Sequence, residues 1–210
     1  IMRRKFKDEE NIDPRTQTLT LFPEGGNLVA GVPCRVAYEA TWNDGEWLEG
    51  NLQVAGQSVP VVHRGRGVFT ITVKEGEEAE AVFLSKDGQS VKAKLPQPRK
   101  EGAVLTVWEE ADKWSVKVAL SAGLHPDSVG MTVMHEGNLC HFRPMKEREN
   151  NFVFGTQELK PGVNQVTVFD TQGGILADRL FFVRGGGMDK PALSMKTEKE
   201  EYKRHEKISL

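Results

Sequence analysis

The sequence predicts an all-β protein made of two tandem β-sandwiches, and three observations carry that reading. Apolar residues recur with a period of two: in CRVAYEAT (Cys34 to Thr41), Val36 and Tyr38 share one face while Arg35 and Glu39 take the other. Many such short runs follow one another, each bounded by Gly, Pro, Asn or Asp, the spacing of a sandwich rather than of a helical protein. The layout then repeats. GVFTITVKEGEEAEAVFLSKDGQSVKAKL (Gly67 to Leu95) and NNFVFGTQELKPGVNQVTVFDTQGGILADRL (Asn150 to Leu180) both read strand, Gly-containing turn, strand, tight Gly turn, strand. Their displacement of about 85 residues is close to one sandwich domain.

The elements follow in order. After a charged N-terminal arm, residues 1–16, the first predicted strand is TLTLF (Thr18 to Phe22). Pro23 fixes one φ angle and Gly25–Gly26 permit positive φ, so the chain bends before Leu28, Val29 and Val32 return it to a core. CRVAYEAT leads into NDGE (Asn43 to Glu46), a turn signal, then WLEGNLQV, GVFTITV, AEAVFLS and QSVKAKL complete a first domain over 17–97. PQPRKEG (Pro96 to Gly102) has the composition of a linker. AVLTVW, WSVKVALS, SVGMTVMHEGNLCHF, NFVFGT, VNQVTVFD and ILADRLFFV form a second domain over 98–186. GGGMDKP (Gly185 to Pro191) reads as another linker. In LSMKTEKEEYKRHEKISL, Leu193 with Met195 and Ile208 with Leu210 alternate like two strands around a charged connection. Residues 187–210 are therefore read as a linker and the start of a truncated third module.

Composition excludes several function classes. Lys plus Arg number 28 against 30 Asp plus Glu, a net charge of -2, so no basic face for nucleic acid is expected. No apolar run reaches the roughly 20 residues that span a bilayer, so this segment is not expected to insert in a membrane. The start IMRRKFKDEENIDPR has no apolar stretch behind its basic residues, and no export signal is visible.

Catalytic constellations are sparse. Cys140–His141 is the one adjacent Cys–His pair, but neighbours on a strand point to opposite faces, so a packed thiol and an exposed imidazole are expected instead of a nucleophile and its base. His125, His135 and His141 match no metal-ligand spacing, and no cofactor is implied. Cys34 and Cys140 fall in separate predicted domains and are expected to be unpaired. Of four tryptophans, Trp42 and Trp47 flank the NDGE turn, where an exposed ring could receive a sugar or a protein; packing at the end of the sandwich is the favoured reading. Trp42, directly before the turn, is expected to be the more exposed.

LFPEGGNLVAGVPCRVAYEAT (Leu21 to Thr41) and LKPGVNQVTVFDTQGGILADRLFFV (Leu159 to Val183) resemble the opening and closing segments of macroglobulin-type domains in large envelope proteins of Gram-negative gut anaerobes. That resemblance implies immunoglobulin-like β-sandwiches strung in series, in parent chains of the periplasm or outer membrane. The end of the sequence is similar to the opening of such a domain, with Tyr202 as its aromatic, although KRHE (Lys203 to Glu206) lacks the usual Pro-Gly turn. The thioester of α2-macroglobulin relatives needs a Gly-Cys-Gly-Glu-Gln motif. Neither Cys34, followed by Arg-Val, nor Cys140, followed by His-Phe, supplies it. The resulting expectation is a non-enzymatic spacer or protein-binding module, with the rest of the parent chain or another protein as partner; the alternative is a carbohydrate-binding accessory module using Trp42 and Trp47.

Overall fold

The computed structural model describes residues 15–185 and 201–204, which excludes nearly all of the segment read as a third module. The described residues form fourteen strands in four antiparallel sheets, with two single-turn 3-10 segments and no α-helix. In the first half, β1 (Gln17–Pro23), β2 (Cys34–Trp42) and β5 (Arg66–Ile71) make a sheet of order β1-β2-β5. β3 (Gly50–Val54), β4 (Gln57–Pro60), β6 (Glu80–Ser85) and β7 (Ser90–Lys94) make a second, of order β4-β3-β6-β7. In the second half, β8 (Ala103–Glu110), β9 (Lys113–Leu120) and β12 (Glu149–Gly155) are ordered β12-β9-β8. β10 (Val129–His135), β11 (Asn138–Pro144), β13 (Gly162–Asp170) and β14 (Ile175–Val183) are ordered β11-β10-β13-β14. Each strand thus has a counterpart seven places later with the same neighbours. The described residues make two tandem immunoglobulin-like sandwiches, and the internal repeat of the sequence maps β5–β7 onto β12–β14.

Alternation explains how each sandwich closes. Along β2, Cys34, Val36, Tyr38 and Ala40 are buried while the residues between them face outward. With Leu28, Leu52, Phe69 and Phe83 they form the first core, in which the Tyr38 and Phe83 rings lie 6.2 Å apart. The second core gathers Leu105, Val116, Met131, Phe154 and Val166, with the Trp114 and Phe181 rings tilted against each other at a centroid distance of 4.8 Å. Full burial of each such side chain contributes about 1.5–3 kcal/mol, which is why these positions set the register of every strand.

SVGMTVMHEGNLCHF holds two strands, because Glu136 and Gly137 both take positive φ (49° and 77°), the geometry of a tight hairpin turn. One local feature departs from the pattern. β4 has no counterpart among the predicted strands; its QSVP sequence offers one apolar residue and ends in proline, and it forms as an edge strand beside β3.

The segment between the sandwiches is pinned. Arg99 donates its N–H to the Leu28 carbonyl and accepts from the Ala30 N–H, both at 2.9 Å, so the linker runs as a parallel bridge beside the Pro23–Val32 bend. Gly102 and Ser121 are joined by two hydrogen bonds, and Val104 and Ala119 pack into the first core. The Pro-rich composition read as a linker; its backbone partners lie some seventy residues upstream and leave no compositional trace.

Candidate interaction surfaces

The NDGE turn forms because Gly45 adopts φ +89° and the Asp44 carboxylate accepts the Glu46 N–H at 3.0 Å. That contact, followed by Arg15, holds the Asp44 carboxyl below its ordinary pKa. The turn brings Trp42 and Trp47 to one end of the first sandwich but gives them different environments. Trp42 packs against the core, and the Arg15 guanidinium lies 4.5 Å from its ring centre, so the expectation that Trp42 is the open member of the pair is reversed. Trp47 is 52% exposed, with Arg64 5.3 Å from its ring. A cleft of about 390 Å³ bounded by Asn51, Pro60 and His63 lies beside it. A smaller one of about 170 Å³ separates it from Trp42, Ser85 and Asp87. The Lys86–Glu49 ion pair, 2.7 Å, borders both. The Ser85 hydroxyl and then the Gln89 N–H hold Asp87 below its ordinary range, keeping a carboxylate acceptor there. An exposed indole amid such donors and acceptors can stack a ring and hydrogen-bond its substituents.

A second surface occupies the outer face of the β1-β2-β5 sheet. Phe22, Ala37 and Val68 are register partners across the three strands and form its apolar floor. Val62 and His63 rise as a wall, and the Arg66–Glu39 ion pair closes the rim of a groove of about 680 Å³. Gly67 is required beneath it: an added Cβ would lie 2.6–2.8 Å from ring atoms of Tyr38, which passes over that position to donate its hydroxyl to the Val59 carbonyl at 3.2 Å. Burial pushes the Tyr38 phenol up to about 12. The sequence signal for this groove was available in Phe22 and Val68, apolar residues at outward positions of alternating strands.

The joint between the sandwiches centres on Glu24, whose side chain is 5% exposed. It leaves the first sandwich and enters the seam between β8 and β14, the edge strands of the second. There its carboxylate receives Arg179 at 2.7 Å and the Val107 N–H at 3.3 Å, with Arg35 at 3.7 Å. Gly25 follows at φ +80°, where an added Cβ would lie 3.4 Å from both Leu105 and Ala177, so the bend is shaped to fit the second core. The PEGG motif is therefore an interdomain plug as well as a turn.

Other candidates disperse. Cys34 is buried in the first core, where desolvation raises its thiol pKa, and Cys140 lies on β11; both are free. The expected arrangement of Cys140 and His141 is corrected. β11 carries a bulge in which Val133 pairs with His141 and Met134 with Leu139, so Cys140 is the extra residue and His141 turns inward. Its ring packs 4.9 Å from Phe154 and its Nε2 lies 2.7 Å from the Glu158 carbonyl. His125 is beside Asp127 and His135 beside the Val163 carbonyl. Among the described residues no three His, Cys, Asp or Glu side chains form a group that could hold a metal, and no helix is long and apolar enough to cross a membrane.

No family model and no curated protein sequence matches this chain. Solved structures with a similar course include the fibronectin(III)-like modules of Clostridium thermocellum CbhA, at 9% identity and TM-score 0.28 over 85% of this chain and 100% of that one. Domains 5-6 of the S-layer protein SbsC align at 13% identity and TM-score 0.39, covering 82% and 99%. The Bacteroides ovatus mixed-linkage glucan utilization locus protein SGBP-B, solved with a mixed-linkage heptasaccharide, aligns at 10% identity and TM-score 0.26, covering 79% and 60%.

Proposed function

We propose that this chain is a non-enzymatic pair of macroglobulin-type modules, residues 17–97 and 98–186, serving a larger cell-envelope protein of the periplasm or outer membrane as a spacer of fixed geometry that presents interaction surfaces. The observation that carries the reading is the Glu24 joint. A freely jointed pair of modules has no use for a carboxylate inserted into its neighbour and held by two arginines and a main-chain N–H. Macroglobulin-type character and the envelope location rest on the sequence resemblance. Small-angle scattering tests the spacer role: one rigid envelope should fit the wild-type curve, and Glu24→Ala should broaden it into an ensemble of interdomain angles. A wild-type curve that itself demands such an ensemble refutes a fixed spacer.

A second reading, glycan binding, is favoured by one specific observation, the half-exposed Trp47 between two clefts. Screening soluble β-glucans by tryptophan fluorescence separates the two readings. Binding abolished by Trp47→Ala and kept in Trp42→Ala assigns the ligand to the open ring; absence of any glycan response leaves the spacer reading alone.

A further inference from the structure

We propose that the outer face of the β11-β10-β13-β14 sheet is where two copies of this chain pair around a two-fold axis. The inference rests on the reading of the chain as an interaction module and names its partner. Register fixes which residues share this face: Leu139, Met134, Gln165 and Leu180 form one row across the four strands, and Phe142, Thr132, Thr167 and Asp178 the next. Phe169 with Ile175, and Val163 with Phe182, extend it at either end. Leu139, Phe142, Val163, Ile175, Leu180 and Phe182 are each 51–63% exposed, and they make up half of the exposed large hydrophobics among the described residues.

The other repeat supplies an internal control. The matching face of the β4-β3-β6-β7 sheet has the rows Ser58, Gln53, Val82, Lys92 and Pro60, Asn51, Leu84, Ser90, with Lys92 paired to Glu80 at 2.9 Å. One scaffold, used twice, carries a solvated face once and an apolar face once. Sandwich stability does not require the second, because the first repeat closes its core without it.

Size and charge identify the occupant. Six large side chains, each roughly half exposed, offer on the order of 600 Å² of apolar surface per copy, the top of the range that the largest patch on a monomer reaches. Two copies would bury about 1,200 Å², the lower bound of stable interfaces, before the intervening polar rows are counted. Among the described outward positions of the four strands one is charged, Asp178, and its Oδ1 is already satisfied by Thr167 at 2.7 Å and Gln165 at 2.8 Å. A different protein is ordinarily selected by complementary charge. A two-fold contact sets every group against its own copy's surface and favours a face without charge to repel itself. Two such sheets can stack with their side chains interdigitated at about 10 Å separation.

Sedimentation equilibrium of the 210-residue chain from micromolar to near-millimolar concentration tests the proposal. The wild type should be a concentration-dependent dimer. Leu180→Glu with Phe182→Glu should raise the dissociation constant at least 30-fold, while Leu84→Glu on the matching face of the first sandwich should leave it unchanged. Circular dichroism melts verify folding, and the milder Leu180→Gln should give an intermediate dissociation constant if the double variant is unstable. A wild type that is monomeric throughout overturns the inference and reassigns the face to a different chain or module. A dimer that survives the double variant, or that Leu84→Glu disrupts equally, overturns it too. Scattering from the monomeric species reports the Glu24 joint separately, so a wild type that is monomeric at every concentration yet rigid would sink the pairing and leave the spacer reading intact.

Discussion

Glu24→Ala is the substitution whose cost the structure specifies most fully. The wild-type carboxylate, 5% exposed, binds Arg179 at 2.7 Å, accepts the Val107 N–H at 3.3 Å and lies 3.7 Å from Arg35. Breaking a fully buried ion pair costs about 3–5 kcal/mol, because the remaining charge is stranded. Here Arg179 and Arg35 keep 35% and 45% exposure and can rehydrate, which moves the expected loss to about 2–3 kcal/mol. Roughly 1 kcal/mol of that belongs to the unpaired Val107 N–H. Urea unfolding provides the assay. The wild type should unfold in one transition, since the joint couples the sandwiches; Glu24→Ala should unfold earlier and in two steps. A double-mutant cycle with Arg179→Met should return a coupling of about 1–2 kcal/mol. Glu24→Leu with Arg179→Met should be milder than Glu24→Leu alone, as the one charge then left without its partner is Arg35, the more exposed of the two arginines. An Ala variant within about 0.5 kcal/mol of wild type, still unfolding in one step, would refute the reasoning.

Three further outcomes follow from the described geometry. Gly67→Ala places a Cβ within 2.8 Å of the Tyr38 ring and should destabilise the first sandwich by about 1–3 kcal/mol in urea melts; a neutral effect would mean that Tyr38 does not cross that position. The chain has 2 tyrosines, so ultraviolet titration of Tyr202→Phe protein isolates Tyr38, which should ionise at about 12. An unfolded phenol loses its proton near pH 10, so stability should fall as pH rises from about 10 through 12; Tyr38→Phe should flatten that decline, and an unchanged slope contradicts it. Cys34 is buried and Cys140 partly exposed, so a thiol reagent should modify Cys140 first and reach Cys34 only on opening of the core; equal rates would place Cys34 at the surface.

Much of the fold was legible because antiparallel strands with one solvated face write their register into the sequence. In β2, Val36 and Tyr38 could only face inward while Arg35 and Glu39 faced out. The candidate site was less legible, and the reasons are physical. His141 turned inward and not outward because a bulge resets the alternation, and a bulge depends on the partner strand. Trp42 and Trp47 look equivalent around their turn; Arg15, far away in sequence, covers one ring and leaves the other open. Glu24 sits in the bend between Pro23 and Gly25, and nothing near it in sequence reveals that Val107 and Arg179 surround it. Local periodicity therefore recovered the strands, while contacts between distant segments decided the surfaces.

The surface signal that the sequence did contain lies where alternation fails. In β14, Leu180, Phe181, Phe182 and Val183 are apolar in succession, although Phe181 and Val183 already fill the core. A strand of an antiparallel sheet with a wet outer side should carry polar residues at the other two positions, as β7 does with Ser90, Lys92 and Lys94. Continuous apolar runs belong to strands covered on both sides. β14 is an edge strand, so a central place in its sheet cannot account for the run, and the first repeat shows that this fold closes with polar residues there. The remaining cause is a second layer packed on the outside. The same logic separates the two repeats despite their common strand order: what they share closes a sandwich, and what distinguishes them, Leu180 and Phe182 against Lys92 and Lys94, is available for selection by a partner.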